Sequence, residues 1–140
     1  MKLISANHYI RQIFRNIKSF FQRGTKGYCD EDLWEIDSWF LKIMPKMLEE
    51  FKKKTMGWPD NLYNSFEEYI ADIDKLIELF NIAKRDPSEN KYLDELISSN
   101  YKDDIFDKYR NESDKIYKQN KNALKEAFEL FYKLFDSLWW

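Results

Sequence analysis

The sequence predicts an all-α protein, a bundle of four to five helices. Only three of its 140 residues are glycine and three are proline, fewer than a turn-rich β fold would use. Aromatic residues make up 18% and charged residues 34%, a composition typical of helices with apolar inner and charged outer faces. Apolar residues also recur at spacings of three and four, which is the helical period. A chain of this length can bury the core of one domain.

The first 26 residues are predicted to form a basic amphipathic helix. The pattern indicates a helix from about Ser5 to Arg23, with Gly24 as its stop. One face is apolar and contains Ile10, Ile13, Phe14, Ile17, Phe20 and Phe21. A basic stripe lies roughly 130° around the helix from it. The candidate binding residues of this segment are Arg11, Arg15, Lys18, Arg23 and Lys26.

Charge divides the single predicted domain into a basic N-terminal helix, residues 1–26, and an acidic helical bundle, residues 27–140. The first segment has six bases and no acid, a charge of +6, whereas the second has 17 bases and 25 acids, a charge of −8. We expect the two segments to attract each other or to attract different partners.

The second helix is predicted to start at Asp30 as its N-cap, with Glu31 and Asp32 in its first turn. Pro45 should remove one backbone hydrogen bond and kink it, and the helix should end before Gly57. Its predicted buried face contains Leu33, Ile36, Phe40, Ile43, Met44, Met47, Leu48 and Phe51.

A third helix follows a capping-box pattern formed by Ser65 and Glu68. Its predicted buried face contains Phe66, Tyr69, Ile70, Ile73, Leu76, Ile77 and Phe80. Pro87 separates it from a short helix that Ser88 is expected to cap.

The last helix is predicted to run from about Lys102 to the end of the chain, because one apolar stripe keeps its phase without proline or glycine. Ser113 and Asn120 fall within that stripe. They are expected either to hydrogen-bond inside the bundle or to mark a stretch that projects beyond it.

Part of the sequence resembles a family of small hypothetical proteins of bacteriophages and prophages. Residues 27–37 read Gly-Tyr-Cys-Asp-Glu-Asp-Leu-Trp-Glu-Ile-Asp, and a long predicted helix and Gly57-Trp58-Pro59 follow. The pattern is G-Y-x-D-x-D-x-W-x-x-D followed by G-x-P. The similarity covers about residues 20–83 and, more loosely, the aromatic end of the last helix. It implies a phage setting and no particular chemistry. Cys29 and Phe66 depart from the family, where a small polar residue and tryptophan are common.

The motif places Asp30, Asp32, Trp34 and Asp37 close together in sequence. Helical phase puts Asp37 among apolar residues, and a buried carboxylate needs a partner. As a structural residue it would accept a hydrogen bond from an indole, a tyrosine hydroxyl or Arg23. As a functional residue it would form an acid/base or divalent-cation site with Asp30 or Asp32. Both interpretations stay open at this point.

Residues for catalysis are sparse. His8 is the only histidine and Cys29 the only cysteine, so a histidine-rich metal site or a cysteine nucleophile is not expected. Ala71 stands where the acidic magnesium motif of helical nucleotide pyrophosphatases requires a third acid, and no glycine-rich phosphate loop is present. The prediction is a non-enzyme without metal or cofactor, with a carboxylate-based metal hydrolase as the alternative.

Four tryptophans, Trp39, Trp58, Trp139 and Trp140, are candidates for an interface, although each could instead cover a neighbouring helix. The predicted function is a phage or prophage accessory protein that binds a host macromolecule, with a host protein as the expected partner and inhibition of a defence system as one form. The alternative is binding of nucleic acid or an anionic membrane surface through the basic helix. That helix could also simply pack into the bundle. The lone cysteine and the absence of a signal peptide favour the host cytoplasm.

Overall fold

The computed structural model describes residues 2–139, with side chains from Tyr9 onward, and its ordered elements are helical. They are α1 (Lys2–Lys26), α2 (Ile36–Lys54), α3 (Phe66–Ala83), α4 (Leu93–Ser98), α5 (Asp103–Leu134) and a 3-10 turn (Phe135–Ser137). No strand occurs in the described residues, so the predicted all-α bundle is confirmed. No helix in this part of the chain is long and apolar enough to cross a bilayer.

The chain forms two compact units, residues 1–40 and residues 41–140. The first unit contains α1, the segment 27–35 that follows it, and the first residues of α2. It has six bases and five acids, a net charge of +1, and the second unit has 17 bases and 20 acids, a net charge of −3. The acidic segment 27–35 therefore belongs to the same unit as the basic helix.

Helix α1 continues past the predicted stop at Gly24 and ends at Lys26. Gly27 has a φ of +81°, and its N–H donates to the Arg23 carbonyl at 3.0 Å. Glycine adopts this left-handed conformation without a Cβ penalty and so ends the helix. The predicted stop at Gly24 is therefore wrong, because Gly27 ends the helix.

Helix α2 begins six residues after the predicted N-cap Asp30, because residues 30–34 form turns instead. The predicted buried face is also wrong at three positions, since Leu33, Ile36 and Met47 are exposed. Pro45 lies inside the helix and is buried.

The core of the second unit is the contact between α3 and α5. Its buried side chains are Tyr69, Ile73, Leu76, Ile77, Leu79 and Phe80 from α3, and Ile105, Ala123, Ala127 and Leu134 from α5. The Phe80 ring packs in a T-shaped arrangement with Phe128 and with Phe131, and the ring centroids are 6.1 Å apart in each pair. Most of the predicted inner face of α3 is thus confirmed, while Phe66 and Ile70 are half-buried.

The predicted capping box of α3 is present in a modified form. The Glu68 N–H donates to Ser65 Oγ at 3.3 Å. The Glu68 carboxylate accepts from the Asn64 N–H at 3.1 Å, one residue before the usual partner. Ser88 does not cap α4, because this helix begins at Leu93 with Tyr92 in the N-cap position. The Ser88 N–H and hydroxyl instead donate to Asp86.

Ser113 and Asn120, the polar residues in the apolar stripe of α5, form hydrogen bonds inside the second unit. This is one of the two predicted alternatives. Asn120 Nδ2 donates to the Arg85 carbonyl at 2.6 Å, and Asn120 Oδ1 accepts from Arg85 Nη2 at 3.3 Å. Ser113 Oγ donates to the Pro87 carbonyl at 2.9 Å and accepts from Asn90 at 2.8 Å. These bonds attach the segment after α3 to the middle of α5.

We expect Asn120→Ala to lower the free energy of unfolding by about 1–3 kcal/mol, because it removes a buried amide that donates to the Arg85 carbonyl and accepts from the Arg85 guanidinium. Urea unfolding measures this change. Gln119→Ala is the matched control, since Gln119 is exposed and should change stability by less than about 0.5 kcal/mol. Equal changes in the free energy of unfolding for the two variants would contradict the stabilising role assigned to the buried Asn120 amide.

Candidate functional site

The basic face of α1 is paired with the acidic segment that follows the helix. Three bases contact three consecutive acids: Arg15 Nε to Glu31 Oε1 at 3.0 Å, Lys18 Nζ to Asp30 Oδ2 at 2.8 Å, and Arg23 Nη2 to Asp32 Oδ1 at 2.7 Å. The segment 27–35 turns back along the helix after Gly27. Most of the predicted basic stripe is therefore neutralised within its own unit.

Asp32 is the best-connected acid of the segment. It accepts two parallel hydrogen bonds from Arg23, from Nε at 3.0 Å and from Nη2 at 2.7 Å, and a third from the Cys29 N–H at 2.8 Å. The Asp32 side chain is only 9% exposed. The Arg23 hydrogen bonds and then the Cys29 N–H hold the pKa of Asp32 well below its usual range, so the carboxylate stays charged at neutral pH.

Asp30 and Glu31 add weaker contacts along the same face. The hydrogen bond from Lys18, followed by the contact with Gln22, lowers the pKa of Asp30; the Asp30 N–H donates to Gln22 Oε1 at 3.2 Å. The buried Ser19 hydroxyl lies 3.4 Å from Glu31 Oε2. Exposed ion pairs contribute little individually, so the doubly bonded Arg23 pair is the main anchor of the segment.

The apolar face of α1 is left open. We call it the apolar stripe; its residues are Tyr9, Ile10, Ile13, Phe14, Ile17, Phe20 and Phe21. Their exposed fractions range from 44% to 73%. At 100° per residue the centre of this stripe lies roughly 180° from the side that the acidic segment covers. A surface helix normally buries its apolar face, whereas here the polar face is the covered one.

Two residues of the predicted basic stripe differ from the other three. Arg11 is exposed and forms no ion pair with any residue that the structure describes. Lys26 is exposed, and its charge contributes to the lowered pKa of Asp30. Of the five predicted binding bases, only Arg11 lacks an acid beside it in the described part of the chain.

The prediction that Asp37 is buried is wrong. Because α2 starts at Ile36, Asp37 lies in its first turn and is exposed, where a carboxylate favours the helix dipole. Arg23 does bind a motif carboxylate, but it is Asp32. Among residues 9–139 no group of three or more histidine, cysteine or acidic side chains is arranged to hold a metal ion. Trp34, the remaining motif residue, is 89% exposed.

The second unit contains an open groove between two tryptophans, which we call the tryptophan groove. Its deeper part is a cavity of about 230 Å³ lined by Lys54, Thr55, Met56, Gly57, Trp58, Pro59, Ser137 and Trp139. A shallower depression of about 610 Å³ continues from it and is bordered by Asp60 and Asp136. Trp58 is 41% and Trp139 65% exposed. Two of the predicted interface aromatics thus share one surface.

Of the other two predicted interface aromatics, only Trp39 lies within the described residues. Trp39 is half-buried in the first unit, and Trp140 lies outside the described residues. Sequence spacing gave no indication that Trp58 and Trp139 would meet, because they belong to a turn and to the end of the chain.

One buried and one partly buried hydrogen bond fix the two sides of the groove. The Tyr69 hydroxyl in the core donates to the Ser137 carbonyl at 2.8 Å, which positions the turn that carries Trp139. The buried Thr55 hydroxyl donates to the Gly57 carbonyl at 3.2 Å, and the Trp58 ring packs beside Phe66 with centroids 6.3 Å apart.

A polar cluster connects the turn before α3 to α3 itself and to α5. Tyr63 Oη donates to Asp72 at 2.6 Å, and Lys133 Nζ donates to the same carboxylate at 2.8 Å while lying 4.4 Å from the centre of the Tyr63 ring. Burial, helped by the Asp72 contact, raises the pKa of Tyr63 to about 12. The phenol therefore stays protonated at neutral pH and acts as a structural donor.

Comparisons with known proteins identify no relative. No protein-family model matches the chain, and no curated protein or solved structure is significantly similar to it. The phage setting suggested by residues 27–37 and 57–59 stays a prediction.

We expect Asp32→Asn to raise the rate at which the Cys29 thiol is labelled by about tenfold or more, because the segment opens locally when its charged anchor is lost. Cys29 is 1% exposed and is the only cysteine, so labelling reports this segment alone. Asp37→Asn is the control, because it makes the same chemical change at an exposed position. Equal labelling rates for the two variants would contradict the assigned role of Asp32.

The pH dependence follows from the direction of the Asp32 shift. Its pKa in the folded chain is below the usual 3.8, so its stabilising contribution is complete above that value and is lost as the pH falls through the folded pKa. A pyridyl disulfide that reacts in acid should therefore find Cys29 protected down to about pH 4 and increasingly accessible below it. Opening near pH 6 would show that another group controls the segment.

Proposed function

We propose that this chain is a non-enzymatic phage or prophage accessory protein that binds a host protein through the tryptophan groove. The resemblance of residues 20–83 supports the phage setting. The observation that supports binding is the groove itself, in which two partly exposed indoles flank a mainly apolar depression.

Tryptophans of this kind suit an interface energetically. Each indole carries a large apolar area with one polar N–H, and burial of that area is favourable at roughly 25 cal/mol per Å². Tryptophan is also among the residues most often found at energetic hot spots. Ser137 is held by a buried hydrogen bond and Thr55 by a partly buried one, so the groove is largely formed before a partner arrives, which lowers the entropic cost of binding.

Charge indicates which kind of host segment fits. Asp60 and Asp136 border the groove and are exposed, and neither forms an ion pair with a base among the described residues. A lysine or arginine of the partner could lie over an indole and also meet a carboxylate. The preferred partner is therefore a host protein with an exposed basic segment. Inhibition of a defence protein is one way in which such binding would serve a phage.

The alternative, binding of nucleic acid or an anionic membrane through α1, has weaker support. A polyanion would have to displace the acids from Arg15, Lys18 and Arg23. Arg11 remains accessible, but affinity for a polyanion grows with the number of charges that are neutralised.

Affinity capture from host lysate tests the proposal with wild-type chain and with Trp139→Ala, Asp136→Asn and Trp34→Ala. A host protein held by the wild type should be reduced about tenfold or more by Trp139→Ala, the range expected for loss of a hot-spot residue. Asp136→Asn should reduce it less and weaken its salt dependence. Trp34→Ala is the matched control, because it removes an exposed tryptophan outside the groove.

Thermal unfolding of each variant shows whether the fold is retained. Equal capture by wild type and Trp139→Ala, with both folded, would contradict the groove as the binding site. Loss of the partner with Trp34→Ala alone would move the site to the first unit.

A further inference from the structure

The apolar stripe of α1 is a second surface, separate from the tryptophan groove. Tyr9, Phe14 and Phe20 are each at least 68% exposed. No charged residue lies within the stripe. The rest of the first unit covers the opposite side of the helix through the contacts with Arg15, Lys18 and Arg23, and the side chains described for residues 9–40 leave the stripe exposed.

The area of the stripe matches that of a stable interface. Side chains of this size, exposed to these fractions, each present roughly 100–150 Å². The seven together present roughly 700–1,000 Å². Each partner of a standard protein interface contributes about 800 Å², whereas the largest apolar patch of a typical monomer is about 300–600 Å².

The spacing of the stripe matches that of a helix that packs against another helix. Ile10 and Ile17 are seven residues apart, as are Ile13 and Phe20, and Phe14 and Phe21. These pairs occupy the a, d and e positions of two successive heptads, the pattern of a helix in a bundle. A partner helix with the same repeat offers complementary knobs and holes, and α1 itself has that repeat.

Charge also favours a second copy. A free basic helix with a charge of +6 would repel its own copy, but the four acids of the segment 27–35 and Asp37 together reduce the first unit to a net charge of +1. The ion pairs lie on the side of α1 opposite the stripe, so they are compatible with contact through it. The same pairing engages three of the bases that a helix on an anionic membrane would use.

We propose that two copies of this chain associate by packing the apolar stripe of α1 against the same stripe of the other copy. The association is independent of the tryptophan groove, and a dimer would carry two such grooves.

Sedimentation equilibrium of the full chain from about 1 to 200 µM, a range that covers interfaces of this size, tests the proposal. The mass should rise from 17.2 kDa toward twice that value with concentration. Ile17→Asp places a charge in the middle of the stripe and should leave the chain at the monomer mass throughout. Gln12→Glu is the matched control, since it adds the same charge roughly 130° around the helix from the centre of the stripe, beside Arg15, and should associate like the wild type.

Each outcome decides the proposal. A wild-type chain that remains monomeric would overturn it, as would a dimer that persists in a folded Ile17→Asp variant. If Ile17→Asp loses helical circular dichroism, Ile17→Ala replaces it and should raise the dissociation constant about tenfold or more through lost apolar burial; an unchanged constant would overturn the proposal.

Vesicles distinguish a lipid occupant from a second copy. A monomeric chain that cosediments with phosphatidylglycerol vesicles, and loses this binding in Ile17→Asp, would show that lipid covers the stripe and would overturn self-association. Trp139→Ala should leave the mass unchanged. Capture of a host protein by Trp139→Ala tests the tryptophan groove, whereas the mass of Ile17→Asp tests self-association. Failure of either proposal can therefore be distinguished from failure of the other.

Discussion

The contact between Arg23 and Asp32 decides which face of α1 is available. Two parallel hydrogen bonds join the guanidinium to the carboxylate, and the Cys29 N–H donates to the same side chain. This geometry holds the turn after Gly27 against the helix. Once the turn is in place, Asp30 and Glu31 lie beside Lys18 and Arg15. An arginine and carboxylate in this bidentate arrangement form a stronger and more directional contact than the lysine pair beside them.

This contact reverses the usual arrangement of an amphipathic helix. A short segment with four acids covers the polar face, because charge complementarity directs it there, and the apolar stripe is left open within the unit. The hydrophobic effect then favours association through the stripe rather than through the bases. The tryptophan groove of the second unit depends on different interactions, chiefly the bond from Tyr69 to the Ser137 carbonyl. The two surfaces can therefore be altered one at a time.

The sequence predicted features that depend on local rules. The all-α fold, the inner face of α3 and the cap at Ser65 follow from hydrophobic period and capping chemistry, and the structure confirms them. The division of charge predicted that the basic and acidic segments attract each other or attract different partners, and the ion pairs of α1 with residues 30–32 correspond to the first alternative. Features that depend on competition between contacts were not predicted. Asp30 was expected to cap α2, but tertiary ion pairs with α1 take the three acids and delay the helix to Ile36.

The same delay explains the error at Asp37. A helix starting at Asp30 would have placed it on an apolar face, whereas a start at Ile36 places it in an exposed first turn. The tryptophan groove could not be predicted, because its sides meet only after α3 and α5 pack together. The pairing of the basic stripe does have a signal in the sequence: three bases of α1 and three consecutive acids after it can pair once the chain reverses at Gly27.

Hydroxyl-radical footprinting of the dilute chain tests most directly whether the polar face of α1 is covered and its apolar face open. Phe14 and Phe20 should be oxidised much faster than Phe80, which is fully buried in the same chain, and the Cys29 thiol should be protected despite its high intrinsic reactivity. Rapid oxidation of Cys29, together with protection of Phe14 and Phe20 comparable to that of Phe80, would contradict this arrangement of the helix.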